Sequence, residues 1–119
     1  MIYYRDKHNF NERFTESTKI INKFPGRVPV IVERAPRSDA PLIDKIKYLV
    51  PGDLTVGQFM FVIRKRLSLP SEKALFIYVN NMLPLTNTLM KELYHNNKES
   101  DGFMYMLYTG ENTFGSMVR

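Results

Sequence analysis

Residues 44–66, DKIKYLVPGDLTVGQFMFVIRKR, decide the fold, because this one stretch contains a strand, a turn and the clearest helix start in the chain. Side chains alternate along a strand, so Tyr48 and Val50 point to one face of the predicted strand and their neighbours point to the other. The strand ends at Pro51-Gly52, a pair that signals a turn. The stretch therefore predicts a short strand with two different faces, followed at once by a helix.

The helix begins at a capping box, in which the side chains of Thr55 and Gln58 each accept a hydrogen bond from the backbone N–H of the other. Leu54, just before the cap, is placed to pack against Phe59 one turn later. Cations at positions 64–66 suit the negative end of the helix dipole. Apolar residues recur at helical spacing and predict a buried stripe, which consists of Val56, Phe59 or Met60, Ile63 and Leu67.

Five further elements follow from the same kind of pattern. A helix is predicted where Asn9 and Glu12 resemble a second capping box, and it stops at Pro25-Gly26. An Asn-Asn pair after the third strand predicts a turn with positive φ angles. The predicted elements are a helix over 10–24, a strand over 28–33, a strand over 75–79, a short helix over 89–94 and a strand over 103–108.

The two N-terminal elements are expected to pack against each other. The apolar side chains of the first helix recur at helical spacing and are interpreted as core residues: Phe10, Phe14, Ile20 and Ile21. The first strand alternates Val28, Val30 and Val32 with Pro29 and Ile31, so both of its faces are apolar. The first helix is therefore expected to cover the second face of this strand.

The order of the elements indicates a fold class. Strands one and two can form a hairpin-like pair, the long helix crosses over, and the final strand returns near the first. This is the order of an α+β, ubiquitin-like β-grasp roll, with a four-stranded mixed sheet and an added N-terminal helical cap. Residues 1–26 are assigned to the cap and residues 27–108 to the ubiquitin-like core.

Composition excludes several classes of function. The 119 residues contain no cysteine, so disulfides and thiolate chemistry are excluded, and no apolar run approaches the ~20 residues of a membrane span. The two histidines, His8 and His95, have no ligand-like spacing and are expected at the surface, so no metal and no cofactor is predicted. No cluster of acid, base and nucleophile appears, and the chain is not expected to be an enzyme. A net charge of +5 favours acidic partners, which include nucleic acid, anionic lipid and acidic peptides.

Four segments together carry a resemblance to a known family: RVPVIVERAP, DKIKYLVPGDLTVGQFMFVIRKR, FIYVNNMLP and ENTFG. From about residue 10 to Gly115 the chain resembles the autophagy ubiquitin-like modifiers. This lipid-conjugated family includes the GABA-receptor-associated protein and the microtubule-associated protein light chain. The first helix is less basic than is usual in the family, which argues against microtubule binding. Ile46 and Leu85 replace a common lysine and a frequent proline, so the predicted peptide-binding edge is more apolar.

The resemblance implies a conjugation pathway in which this chain is the substrate. A cysteine protease would cut between Gly115 and Ser116, and activating and conjugating enzymes would carry the new carboxylate as a thioester to phosphatidylethanolamine. Residues 109–115 would be a flexible conjugation tail and residues 116–119 a removable extension. Glycine has no Cβ, so its backbone can enter a narrow catalytic cleft. The protein would be cytoplasmic, and on autophagosomal membranes after lipidation.

The resemblance also implies a groove for peptides of the type aromatic-x-x-aliphatic, which cargo receptors and adaptors would supply. The predicted second strand leaves an edge to which such a peptide can add. The pocket for the aromatic residue would use Glu16, Ile20, Pro29, Ile31, Lys47, Leu49 and Phe103. The pocket for the aliphatic residue would use Tyr48, Val50, Pro51, Leu54, Phe59, Val62 and Ile63. Acidic flanks of the peptide would meet Arg27, Lys45, Arg64 and Arg66, together with Lys47.

Two alternatives remain open at the level of sequence. The chain could be a nonconjugated trafficking adaptor that uses the same groove. Nucleic-acid binding rests on charge alone, would show a steep salt dependence, and is not expected because no nucleic-acid motif accompanies the charge. The chain is expected to act as a monomer.

Overall fold

The computed structural model describes residues 2–111. Eight elements follow one another along this part of the chain, and four of them form one sheet. The helices are α1 (Tyr4–Lys7), α2 (Phe10–Lys23), α3 (Val56–Arg66) and α4 (Met90–Asn97). The strands are β1 (Arg27–Arg34), β2 (Lys47–Pro51), β3 (Phe76–Tyr78) and β4 (Met104–Thr109).

The sheet has the mixed topology that the order of elements predicted. Its strand order is β2-β1-β4-β3. The hairpin-like pair β1–β2 is antiparallel, β1 and β4 are parallel, and β3 pairs antiparallel with β4. The parallel ladder begins at Val30, one residue after Pro29, so the missing N–H of Pro29 lies at the start of the ladder, where its absence is harmless.

The capping box of α3 is confirmed in detail. Gln58 N–H donates to Thr55 Oγ1 at 3.1 Å, and Thr55 N–H donates to Gln58 Oε1 at 2.9 Å. Of the two alternatives for the buried stripe, Phe59 is in the core and Met60 packs partly buried against it. The local signals and the packing of this helix therefore agree.

The main core lies between one face of the sheet and helices α3 and α4. Val30 and Val32 of β1 are fully buried there, as is Tyr108 of β4. A second, smaller cluster lies on the other face, where Tyr4 of α1 packs with Ile31 and Phe103. Both faces of β1 are thus covered, as its sequence predicted, and we call the face that α1 and α2 cover the outer face.

Two predictions for the N-terminal segment were wrong or incomplete. Phe10, Phe14 and Ile21 are exposed side chains and not core residues, whereas Ser17 is the buried residue of α2. Helix α2 is held by a polar contact, because Ser17 Oγ donates to the carbonyl of Asp101. The one-turn helix α1 was not predicted at all, although it supplies a core residue.

The remaining elements were found with shifted ends. The Asn80-Asn81 turn has positive φ angles of 49° and 63°, as its sequence predicted. Strand β3 is shorter than predicted and α4 continues three residues further. Among the described residues, no helix has the length and apolarity that crossing a membrane requires.

Candidate functional site

The candidate groove is built on β2, which is an edge strand of the sheet. Val32 N–H donates to the carbonyl of Ile46 at 2.7 Å, so positions 46, 48 and 50 exchange hydrogen bonds with β1. The backbone N–H and C=O groups of Lys47 and Leu49 therefore point away from β1. An extended peptide needs such outward groups in order to add to a sheet.

One of these outward-pointing backbone groups already accepts a hydrogen bond from a side chain. The guanidinium of Arg27 donates from Nη1 to the carbonyl oxygen of Leu49 at 3.1 Å. This side chain covers part of the open edge.

Five of the seven residues predicted for the aliphatic pocket lie together between β2 and α3, namely Tyr48, Val50, Leu54, Phe59 and Ile63. Tyr48, Phe59 and Ile63 are buried in the main core, and the rings of Tyr48 and Phe59 meet edge to face at 5.7 Å. Burial raises the pKa of Tyr48 to about 12, and its hydroxyl donates to the carbonyl of Lys45 at 2.6 Å. The other two residues, Val62 and Pro51, are exposed, and Leu54 is half-buried. The predicted set therefore combines a packed base with two exposed side chains.

The residues predicted for the aromatic pocket lie in or around the smaller cluster on the outer face, which consists of Tyr4, Ile31 and Phe103. Ile31 and Phe103 are fully buried, and Ile20 packs beside them. The ring of Tyr4 lies on this cluster, 5.5 Å from Phe103 in an edge-to-face arrangement. Pro29 is buried and Leu49 is half-buried opposite it in the β1–β2 register. Ile31 and Phe103 can thus form the floor of a pocket but have no exposed surface of their own.

Glu16 and Lys47 form an ion pair across this cluster, from α2 to β2. The hydroxyl of Tyr4 donates to Glu16 Oε1 at 2.7 Å, and the ammonium of Lys47 lies 5.3 Å from the centre of the Tyr4 ring. Partial burial alone would raise the pKa of Glu16, but the hydrogen bonds from Lys47 and Tyr4 outweigh it and hold that pKa below its ordinary value. The three side chains together form a polar bridge, in which Glu16 and Lys47 are partly exposed and Tyr4 is buried against the apolar cluster.

The cations predicted to meet acidic flanks do not act as one group. Arg64 donates to the carbonyls of Pro70 and Lys73, beyond the end of α3. Arg66 donates to Asp44 at 2.8 Å and lowers the pKa of that carboxyl group. Lys45 lies over the ring of Tyr48 at 5.2 Å. Among the predicted cations, Lys47 is part of the open edge and Arg27 donates to the Leu49 carbonyl there, whereas Arg64 is turned toward a loop.

Sequence reasoning missed Tyr4 as part of this region. The residue lies in a four-residue helix, too short for an apolar period to be visible. The one local signal is Asp6, whose carboxylate accepts the N–H of Tyr3 at 3.3 Å. The predicted cleavage and attachment site at Gly115 and Ser116 lies outside the described residues.

The arrangement of strands and helices defines the class of protein as ubiquitin-like, with two extra helices at the N-terminus. The family model described as "Autophagy protein Atg8 ubiquitin like" matches residues 12–115. The chain belongs to this family.

Relatives and solved structures agree with that assignment. The chain is 57% identical to Autophagy-related protein 8 of Pichia angusta, over 96% of this chain and 91% of the relative. It is 59% identical to Autophagy-related protein 8c of Arabidopsis thaliana, over 92% of each chain. Among solved structures, Trypanosoma brucei ATG8 superposes with a TM-score of 0.88 at 41% identity, covering 93% of this chain and 96% of that one.

A further solved structure contains a partner. Plasmodium falciparum Atg8, in complex with a peptide of Plasmodium falciparum Atg3, superposes with a TM-score of 0.86 at 38% identity. The alignment covers 93% of this chain and 98% of that one.

Proposed function

We propose that this chain is a conjugated modifier of autophagy, cleaved after Gly115 and joined there to phosphatidylethanolamine. The observation that supports this is the extent of the family match, which reaches Gly115 and leaves out the last four residues of the chain. A glycine carboxylate suits transfer through enzyme clefts because no Cβ blocks its approach. The two acyl chains of the lipid give the stable anchoring that a single chain does not.

In this role the chain is a substrate and a scaffold, and the nucleophiles of each step belong to its partners. A cysteine protease exposes the carboxylate of Gly115. Activating and conjugating enzymes then carry it as a thioester, and the amine of the lipid displaces the thiol to form an amide. The modified protein moves from the cytoplasm to autophagosomal membranes.

The groove at the edge of β2 is proposed to recruit receptors and adaptors with an aromatic-x-x-aliphatic motif. Outward backbone groups at Lys47 and Leu49 offer main-chain hydrogen bonds, and the two apolar floors lie on either side of the strand. The aromatic side chain would displace the polar bridge of Tyr4, Glu16 and Lys47. The aliphatic side chain would enter beside Val62.

A calorimetric titration tests the groove with a peptide of the form Asp-Asp-Trp-Glu-Glu-Leu. Leu49→Ala should weaken binding by at least ~1 kcal/mol, as expected when a central anchor contact is truncated. Leu83→Ala is the matched control, since Leu83 is an exposed leucine in the loop after β3, the strand at the opposite edge of the sheet from β2. Equal affinity of both variants and the wild-type chain, with folding intact, would refute the assignment of the groove.

Conjugation is tested separately in cells. Gly115→Ala should abolish the lipid-dependent shift in gel mobility and leave the protein in the soluble fraction. The alternative function, a nonconjugated trafficking adaptor with the same groove, makes a different prediction. Intact-mass analysis would then find Arg119 retained on a protein that still binds the peptide.

A further inference from the structure

The outer face of the sheet is only partly covered by the N-terminal helices. Helices α1 and α2 lie over β1, and a cleft of about 450 Å³ remains beside α1, over β4 and β3. We call it the outer-face cleft, and its walls include Tyr3, Glu33, Tyr78, Tyr105 and Leu107. It is separate from the groove at β2, because β1 and β4 lie between that edge and β3.

The charges in this cleft are unbalanced in favour of carboxylates. Asp6 and Glu33 outnumber Arg5 among the charged residues that line it. Glu33 is 92% buried on the side of the sheet that α1 covers, and its Oε2 accepts the N–H of Tyr4 at 2.7 Å. Within residues 2–111 no cation lies within ion-pair distance of Glu33, since Arg5 pairs instead with Glu99 at 3.7 Å.

A buried carboxylate without a cation is costly, because burial in a medium of low polarity disfavours the charged form. Burial accordingly raises the pKa of Glu33, although the Tyr4 N–H and the charges of Arg5 and Lys7 oppose the shift. A cation that enters the cleft would remove part of this cost. A bound cation should therefore stabilise this carboxylate more than it would stabilise an exposed one.

The aromatic walls add a second preference. The guanidinium carbon of Arg5 already lies 3.8 Å from the centre of the Tyr105 ring. The half-buried ring of Tyr3 lines the same space. A planar guanidinium stacks flat on tyrosine and matches both oxygens of a carboxylate, whereas an ammonium group meets either partner only as a point charge.

We propose that the outer-face cleft binds the side chain of an arginine presented by a partner protein. The guanidinium pairs with Glu33 and Asp6 and stacks on the tyrosine walls, where it competes with Arg5 for the face of Tyr105. The partner is one that carries an arginine on an exposed loop or extended segment. The cleft adjoins the aromatic pocket of the groove, because Glu33 accepts the N–H of Tyr4, whose hydroxyl belongs to the polar bridge.

The test is a titration of the full ¹⁵N-labelled chain with N-acetyl-arginine amide, followed by backbone amide shifts. Saturable shifts are expected at Glu33, Asn80 and Leu107. N-acetyl-citrulline amide is the control ligand, since it has a similar shape without the charge. Equal shifts with both ligands, or shifts confined to other surfaces, would overturn the proposal.

Two variants should change the affinity for the arginine ligand in opposite directions, which distinguishes binding from a merely structural role. Glu33→Gln keeps an acceptor for the Tyr4 N–H and should weaken the arginine ligand at least fivefold. Arg5→Ala should strengthen it at least twofold, because it removes a competing cation and frees the face of Tyr105. If Arg5→Ala weakens binding or Glu33→Gln has no effect, the cleft is not an arginine site.

Two further variants cover the case in which Glu33→Gln does not fold. Asp6→Asn changes an exposed carboxylate at the mouth of the cleft and should weaken binding at least twofold. Asp53→Asn is its matched control, an exposed carboxylate between β2 and α3 that is paired with Lys91. Equal effects of these two substitutions would contradict the proposal.

Discussion

Asp101 is a buried carboxylate outside the apolar core, and replacing it with alanine should destabilise the fold. The residue is 1% exposed, and its carboxylate accepts three hydrogen bonds. The donors are the guanidinium of Arg13 at 2.7 Å, the hydroxyl of Tyr105 at 2.5 Å and the backbone N–H of Phe103 at 2.9 Å. Asp101 therefore ties α2 to the start of β4.

The expected loss is about 3–5 kcal/mol, the range for breaking a buried ion pair by removing one partner. Its main part arises because the side chain of Arg13 is only 16% exposed and would be left as a buried charge without a carboxylate. The hydroxyl of Tyr105 and the N–H of Phe103 would lose their acceptor as well. Small domains have about 5–15 kcal/mol of stability in total, so the variant should be marginal.

Urea denaturation followed by far-UV circular dichroism measures the effect, since the chain has no tryptophan. Tyr105→Phe is the matched control, because it removes one of the three hydrogen bonds and should cost about 1 kcal/mol. A double-mutant cycle with Arg13→Met isolates the pair, and the coupling should exceed ~1 kcal/mol. A loss below ~1 kcal/mol for Asp101→Ala would show that this network does not hold α2 to the sheet.

Three further predictions concern other parts of the fold, and each is measured as a change in the free energy of unfolding. Gly102→Ala should cost roughly 2 kcal/mol or more, because Gly102 has a φ of +89° and an added Cβ would lie 2.9 Å from Ser17 Cβ; an unchanged value would contradict the close packing of α2. Thr55→Ala should cost about 1 kcal/mol through loss of the α3 cap, and Gln58→Ala less; equal costs would argue against this ranking. Glu33→Gln should gain stability relative to the wild-type chain as the pH rises from about 4 to 7. The pKa of Glu33 is raised in the folded state, so the stability that this group contributes is present below its unfolded pKa and lost as the pH rises through its folded pKa; a pH-independent difference would refute this.

The sequence predicted those elements whose local signals and packing agree. Helix α3 has a capping box, an apolar stripe and basic residues in its last turn, and all three favour a helix over the same residues. The alternation at Tyr48 and Val50 placed β2 correctly, because only one face of that strand is buried. The double-sided burial of β1 followed from its apolar residues on both faces.

The N-terminal helices were harder to predict, because α2 packs through polar contacts and α1 is too short to show an apolar period. The exposed side chains of Phe10 and Phe14 stack on each other at 5.8 Å, so helical spacing of aromatic residues did not indicate a buried face. The buried side of α2 is marked instead by Ser17 and Arg13, which bind Asp101 some 84–88 positions later. A sequence alone gives no signal for a contact that depends on two distant polar residues.

The burial of the predicted pocket residues determines which of them can test the groove. Tyr48, Phe59 and Ile63 belong to the main core, so truncating any of them would change folding and binding together. Leu49 and Lys47 are half-buried on the open edge, and Val62 is 42% exposed, so these side chains can be changed at little cost to the core. If the groove binds as proposed, affinity should depend on these three positions while the stability of their variants stays within about 1 kcal/mol of the wild-type chain. If affinity is lost only in variants that also lose stability, the substitutions act by disrupting the fold and not by removing contacts with the peptide.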